Sequence, residues 1–210
     1  MKRMSRFLLG AGVVLLLPLA VRAQDFAKAE LSAGYSLFRL STTDFGGDAR
    51  TTTHGWDISI APNINRNLAL VVDFAGHYGG FNEQDTFFGF PLTAKADVQT
   101  HSVMAGPRVS ETVDERWRPF AQFLVGYHRT NLDSNIQFPT LPIPPEVDAD
   151  THSGFAMTAG GGLDLLMGPS FAVRVFQAEY VVNRWSDFDG RVEGARVGAG
   201  IIFRFGSRSH

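Results

Sequence analysis

Apolar and polar residues alternate with a period of two over most of this chain. The stretch GWDISIAPNI, residues 55–64, shows the pattern clearly, with Trp56 and Ile58 on one face and Asp57 and Ser59 on the other. Successive side chains of a β-strand point to opposite faces, so the alternation predicts a strand with one apolar and one polar side. Eight such segments can be identified: 29–40, 55–64, 68–78, 98–110, 117–129, 153–166, 171–182 and 195–205.

The seventh segment changes its register part-way along. Val173 and Val175 place the apolar face on odd positions, whereas Ala178 and Tyr180 place it on even positions. One extra residue in a strand shifts all later side chains to the opposite face. We therefore predict a one-residue β-bulge near Phe176.

The connections between these segments alternate in length. Short links at 65–67, 111–116 and 167–170 separate longer polar stretches at 41–53, 79–97, 130–152 and 183–193. Short turns at one end, long loops at the other and an even number of strands are typical of a transmembrane β-barrel.

The N-terminus has the three parts of a secretory signal peptide. Basic residues at Lys2, Arg3 and Arg6 precede the apolar run 7–20, and Ala23 completes a small-residue cleavage site. We therefore predict a signal peptide over 1–23, a barrel domain over 24–206 and a short tail over 207–210.

Charge and cysteine content narrow the functional classes. Removing residues 1–23 leaves 15 Lys and Arg against 21 Asp and Glu, a formal charge of −6. An acidic exported chain is a poor nucleic-acid binder. The absence of cysteine excludes disulfide frameworks and thiolate metal sites.

The polar faces of the predicted strands carry charges in mid-strand. In a membrane barrel these side chains must face the lumen, and an eight-stranded barrel is only wide enough for side chains to fill it. Opposite charges confined there should pair, because an unpaired buried charge is costly. The predicted lumen charge network, which would plug the barrel, comprises Glu30, Asp57, Asp73, Arg108, Asp164, Arg174, Glu179, Arg196 and Arg204.

Aromatic residues on the apolar faces fall near the strand ends. Trp56, Tyr78, Tyr127 and Tyr180 lie toward the long loops, whereas Phe171 lies beside a short turn. Two such girdles are expected where a barrel meets the two membrane–water interfaces.

The last segment, GARVGAGIIFRF, has an assembly-signal pattern. Polar, glycine and apolar positions recur with the spacing of the C-terminal recognition signal of bacterial outer-membrane barrels, which it resembles through Arg196, Gly198, Gly200, Ile201, Phe203 and Phe205. The whole mature chain resembles the small eight-stranded outer-membrane-protein β-barrel superfamily.

Pattern and resemblance together predict an all-β, eight-stranded, antiparallel up-and-down transmembrane barrel in the bacterial outer membrane. The resemblance implies a monomer with both termini in the periplasm. It also implies contact with outer-membrane lipid and lipopolysaccharide, and insertion by periplasmic chaperones and the barrel-assembly machinery.

No catalytic, cofactor or metal site is predicted. Glu146, Asp148 and Asp150 resemble part of a calcium loop, but the glycine and distal glutamate of such a loop are missing.

We hypothesise a structural role, or binding and adhesion through the external loops. A narrow channel is the first alternative and a lipid-active outer-membrane enzyme the second. We also hypothesise that divalent cations bind the acidic stretch 130–152 and order it.

Overall fold

The computed structural model describes residues 26–42, 49–87, 90–137, 146–185 and 191–207. The predicted signal peptide 1–23 lies outside these residues, as do residues 208–210 of the predicted tail. The eight strands are β1 (Ala27–Thr42), β2 (Ala49–Pro62), β3 (Leu68–Phe87), β4 (Phe90–Ser110), β5 (Trp117–Gln137), β6 (Glu146–Leu166), β7 (Phe171–Trp185) and β8 (Arg191–Ser207).

These strands form one closed antiparallel sheet. Each strand pairs with the next along the chain, and β8 closes the barrel by pairing with β1 from Ala27↔Ser207 to Ser41↔Glu193. Closure satisfies the backbone groups that an open edge would leave unpaired, a requirement in lipid. The predicted fold class is therefore confirmed.

The strands tilt because the sheet closes with a stagger. Residues paired from one strand to the next form a register row around the barrel. The row that starts at Leu31 passes through all eight strands and returns to β1 at Ser41, which gives a shear of 41 − 31 = 10 residues. A fixed shear sets strand tilt and barrel width together. Residues at one height along the barrel axis therefore lie on different register rows.

The central strands are longer than the sequence pattern predicts. β3 continues to Phe87 and β4 begins at Phe90, while β5 continues to Gln137 and β6 begins at Glu146. The prediction of long loops at 79–97 and 130–152 was therefore wrong for most of their length. Strands beyond a membrane have water available on their surfaces and need no continuous apolar face, so apolar alternation does not reveal them.

The predicted bulge is confirmed. The β6–β7 register passes from Leu163↔Phe176 to Asp164↔Arg174, which leaves Val175 without a partner on β6. The β7–β8 register shifts at the same place, between Arg174 and Gln177. The extra residue lets Arg174 point inward in step with the later inward positions of β7.

Burial in this barrel is the inverse of burial in a water-soluble protein. Large apolar side chains point outward, among them Ile60 at 48% exposure and Phe123 at 47%, whereas Asp164 is completely buried. So extensive an exposed apolar surface marks a contact with another apolar phase. No helix among the described residues is long and apolar enough to cross a membrane.

An arginine on the outward apolar face should destabilise the barrel according to its depth. Val72 lies mid-wall between exposed Leu70 and Phe74, and Val72→Arg should cost about 2–4 kcal/mol in the free energy of unfolding. Thr52→Arg, near the outer rim, is the matched control and should cost about 0–1 kcal/mol. Urea titrations of both variants in phospholipid vesicles measure the difference. Equal costs would contradict the assignment of this face to lipid.

Candidate functional site: the charged interior of the barrel

The interior near the short turns holds a network of ion pairs. We call it the lower cluster; its members are Glu30, Arg118, Asp164, Arg174 and Arg204. Arg118 donates to Glu30 through both terminal nitrogens, with Nη1–Oε1 at 2.5 Å and Nη2–Oε2 at 2.7 Å. Its Nη2 also lies 3.2 Å from Asp164 Oδ2. A bidentate arginine–carboxylate pair fixes both side chains more strongly than a single contact does.

Two further arginines complete the lower cluster. Arg174 Nε donates to Asp164 Oδ1 at 2.9 Å, so Asp164 accepts from both Arg118 and Arg174. Arg204 Nε lies 3.3 Å from Glu30 Oε1. Each carboxylate of the cluster is thus shared by two arginines, which offsets the desolvation that burial imposes.

An aromatic ring lies against this network. The guanidinium carbons of Arg174 and Arg108 lie 4.5 and 4.9 Å from the centre of the Phe120 ring. Cation–π attraction is stronger where the cation is desolvated, as it is for these buried arginines. Phe120 therefore fills space and stabilises two positive charges at once.

A second network lies farther from the short turns, toward the end where β3 to β6 extend. We call it the upper cluster; its members are Asp73, Glu179 and Arg196. Arg196 Nη1 lies 3.1 Å from Asp73 Oδ2, and its Nε donates to Glu179 Oε2 at 2.7 Å. All three side chains are nearly fully buried. One arginine thus ties β8 to β3 and β7 across the interior.

Gln122 joins the two clusters. Its amide nitrogen donates to Glu179 Oε1 at 2.6 Å, and its amide oxygen accepts from Arg108 Nε at 2.8 Å. Arg108 and Arg174 share the Phe120 ring, so polar and ring contacts connect the interior from the lower cluster to the upper one.

The structure places eight of the nine residues predicted for the lumen network in these direct contacts. Asp57 is the exception: it lines a cavity of about 10 Å³ beside Arg174 and Arg196 and makes no ion pair with a described residue. A second cavity, of about 20 Å³, lies beside His77 and Arg196. Each cavity is about large enough to hold a single water molecule.

Sequence reasoning missed Arg118, the residue with the closest ion-pair contacts of the lower cluster. Arg118 is the second residue of β5. The sequence signal for its inward orientation is its even position, which it shares with the inward residues Gln122 and His128. With Arg118 included, the inward side chains that the structure describes comprise five arginines and five carboxylates, which balance formally: Arg108, Arg118, Arg174, Arg196 and Arg204 against Glu30, Asp57, Asp73, Asp164 and Glu179.

The outward surface carries the other predicted residues. The upper aromatics Trp56, Tyr78, Tyr127 and Tyr180 are 40–53% exposed, and Phe171 packs edge-on against Phe203 with ring centres 5.7 Å apart. Tyr35 at 57% and Trp117 at 40% also belong to this outward set and were not predicted. Two rings of aromatic side chains thus border the apolar wall.

The residues of the predicted assembly signal lie on β8. Ile201, Phe203 and Phe205 are exposed on the outer wall. Gly198 and Gly200 line the smaller cavity, opposite Ser36 and Gly34 of β1.

The chain matches a known protein family over most of its length. A model of the outer membrane protein beta-barrel domain matches residues 9–205. The chain belongs to this family. It is therefore an integral β-barrel of the bacterial outer membrane, in agreement with its apolar wall and closed sheet. A search of functionally curated proteins finds no match.

Solved structures with a similar fold include the following two proteins. Ail, the attachment invasion locus protein of Yersinia pestis, in complex with the heparin analogue sucrose octasulfate, is 20% identical with a TM-score of 0.55, over 85% of this chain and 99% of Ail. Neisserial surface protein A is 13% identical with a TM-score of 0.58, over 87% of this chain and 99% of that protein. At these identities the likeness shows the fold alone.

Proposed function

We propose that this outer-membrane barrel is a non-conducting scaffold whose role is binding or adhesion through its outward-projecting strands and loops. The observation that carries the proposal is the connected interior, in which ion pairs and Gln122 join the lower and upper clusters. Opening a path for ions would require breaking buried charge pairs, and each break leaves a buried charge uncompensated. The proposal assigns no catalytic activity.

The projecting strands support a role outside the membrane. β5 runs from Tyr127, in the upper aromatic ring, for 137 − 127 = 10 residues to its end at Gln137. β3, β4 and β6 extend in the same direction and pair with one another or with β5 in continuous register. A continuously paired sheet of this length reaches well beyond the lipid surface, as a binding platform requires.

The charge of the outer segments constrains the partner. Residues 41–53, 79–97, 130–152 and 183–193 together carry four Lys and Arg against twelve Asp and Glu, or 4 − 12 = −8. A polyanion such as the heparin analogue in the Ail complex would be repelled by these segments. We therefore propose a cationic or neutral partner.

The non-conducting part of the proposal is tested in planar bilayers. The refolded mature protein should give no stepwise conductance, because its interior is connected by side-chain contacts from one cluster to the other. A general porin inserted by the same procedure is the positive control, and heat-modifiable migration verifies folding. Discrete wild-type conductance steps would establish the channel alternative instead.

The binding part is tested by shortening the outer sheet. In the variant, residues 81–96 and 133–150 are each replaced by a four-residue turn, which leaves the membrane wall intact. Bacteria displaying this variant should retain a heat-modifiable barrel and lose adhesion to cultured host cells. Equal adhesion by the two forms would assign the protein a structural role.

A further inference from the structure

Strand β6 has an open edge above the upper aromatic ring. Its pairing with β7 begins at Gly154↔Trp185, whereas its pairing with β5 continues upward to Ile136↔Glu146. Residues 146–153, which number 153 − 146 + 1 = 8, therefore have a strand partner on the β5 side and none on the β7 side among the residues that the structure describes. A strand edge of this length extends for about 27 Å.

The opposite side of this part of β6 is regularly paired. Thr151 lies directly opposite Asn131 on β5, and its Oγ1 donates to Asn131 Oδ1 at 3.1 Å. The β5–β6 register continues without a shift over its full length. The strand that bears the edge is thus held extended before any partner binds, which lowers the entropic cost of adding a further strand.

The open edge lies in water and not in lipid. It begins next to the outward residue Phe155, which is opposite Tyr127 of the upper aromatic ring. Tyrosines of this kind mark the membrane interface, and beyond it water satisfies backbone groups that lipid would leave unpaired. The edge therefore presents a row of accessible N–H and C=O groups, which is a template for pairing with another chain.

The sequence of the edge is acidic. Residues 146–153 include Glu146, Asp148 and Asp150 and contain no Lys or Arg. These three residues occupy alternate positions, which a strand places on one face. In a strand added beside β6, the residues of that face would lie opposite the acidic positions, where Lys or Arg forms favourable cross-strand pairs.

Charge disfavours a second copy of this chain as the added strand. The projecting part of β3, residues 79–87, is the other outer strand of the sheet, since β2 pairs with β3 only from His54↔Tyr78 toward the short turns. It includes Glu83 and Asp85 and no Lys or Arg. Pairing any two of these edges between copies would bring like charges onto adjoining strands, which is destabilising.

We propose that the open edge of β6 binds an extended, basic polypeptide segment of a partner protein, which adds to the projecting sheet as a further strand. Main-chain hydrogen bonds to residues 146–153 supply the affinity, and Lys or Arg at alternate positions of the segment supplies the specificity. This inference rests on the proposed function, because it names the partner chemistry and the binding edge of the same projecting sheet. It requires the partner to present a stretch of similar length with an unpaired backbone.

The test uses a labelled peptide of alternating lysine and threonine, with acetylated and amidated ends, and the refolded mature barrel in detergent micelles. Fluorescence anisotropy at fixed ionic strength measures the affinity. The peptide should bind and should slow hydrogen exchange of backbone amides within residues 146–153. A peptide with glutamate in place of lysine should bind about tenfold more weakly or worse. Equal binding of the two peptides would contradict the requirement for a basic segment.

Methylation of alternate peptide nitrogens separates strand pairing from charge attraction. Two further peptides carry N-methyl groups, one on every lysine and the other on every threonine, and have the same charge. Alternate residues of a strand turn their N–H groups toward one neighbour. Methylation of one set should therefore weaken binding by about tenfold or more, and methylation of the other set should leave the affinity close to that of the parent peptide. Equal affinities of the two methylated peptides would overturn the proposal.

Matched variants remove two carboxylates from either edge of the sheet. Asp148→Asn with Asp150→Asn should weaken peptide binding by about fivefold or more, through loss of two cross-strand charge pairs. Glu83→Gln with Asp85→Asn removes the same charge from the β3 edge and should leave the affinity unchanged. Heat-modifiable migration verifies that both variants are folded. Unchanged affinity in the β6 variant, or an equal loss in both variants, would contradict the assignment to β6.

Adhesion separates this inference from the proposed function. Bacteria displaying the β6 variant should adhere to cultured host cells less than bacteria displaying the β3 variant. If adhesion requires the projecting sheet but the wild type does not bind the peptide, the edge inference is wrong and the proposed function stands. If the wild type binds the peptide but shortening the sheet leaves adhesion unchanged, the edge is supported and the adhesion role is contradicted.

Discussion

Replacing Arg118 with leucine should destabilise the folded barrel by about 3–5 kcal/mol, the usual cost of removing one partner from a buried ion pair. Arg118 is 6% exposed and contacts both Glu30 and Asp164. Leucine would fill part of the space but leave these carboxylates with only the longer Arg204 contact and the Arg174 contact. Urea titration in phospholipid vesicles measures the change in the free energy of unfolding.

Arg116→Leu is the matched control, because Arg116 lies two positions earlier in the short turn and is exposed. Its effect should stay within about 0.5 kcal/mol, as for most surface substitutions. A difference between the two variants below about 1 kcal/mol would contradict the role given to Arg118 in the interior, because it would fall well short of the loss of a buried partner.

A double-mutant cycle separates charge pairing from packing. Glu30→Gln removes the negative charge that Arg118→Leu leaves under-compensated, so the combined variant should be more stable than the sum of the single effects predicts. Directly contacting residues give coupling energies of about 0.5–3 kcal/mol. Additive effects would mean that Arg118 does not stabilise the barrel through its ion pair with Glu30.

Introducing aspartate at both Phe203 and Phe205 should abolish assembly in cells while sparing export. Both side chains are exposed on the closing strand, at 43% and 53%, and Phe203 also packs against Phe171. A carboxylate near the membrane interface costs only about 0–1 kcal/mol, so the folded barrel can tolerate the pair. The variant should therefore refold in vesicles but accumulate unassembled in the periplasm, as loss of a recognition signal requires.

The control places two aspartates in the short turns, by Val113→Asp with Met167→Asp. These positions are 46% and 63% exposed and lie outside the strands. Cell fractionation and heat-modifiable migration compare the variants. Normal assembly of the strand variant would contradict the assembly-signal proposal, and an equal defect in the control would attribute the effect to added charge.

The sequence determined the barrel wall because lipid and lumen impose opposite preferences on alternate positions of every strand. That alternation located the eight strands, the bulge near Phe176 and the inward direction of residues such as Asp164 and Arg196. Outside the membrane no such preference acts on the strands. The sequence pattern consequently predicts loops where β3 extends to Phe87 and β5 to Gln137, and only the structure shows these residues as strands.

Contacts across the interior and around the wall were decided by the tertiary structure. Alternation shows that Glu30 and Arg118 point inward, but they are 88 residues apart and meet only when the sheet closes with its particular shear. The same shear, which no local pattern encodes, brings Arg196 of β8 to Asp73 of β3, 123 residues earlier in the chain. A strand's own residues fix which face each side chain occupies, whereas the stagger between strands fixes which side chains meet.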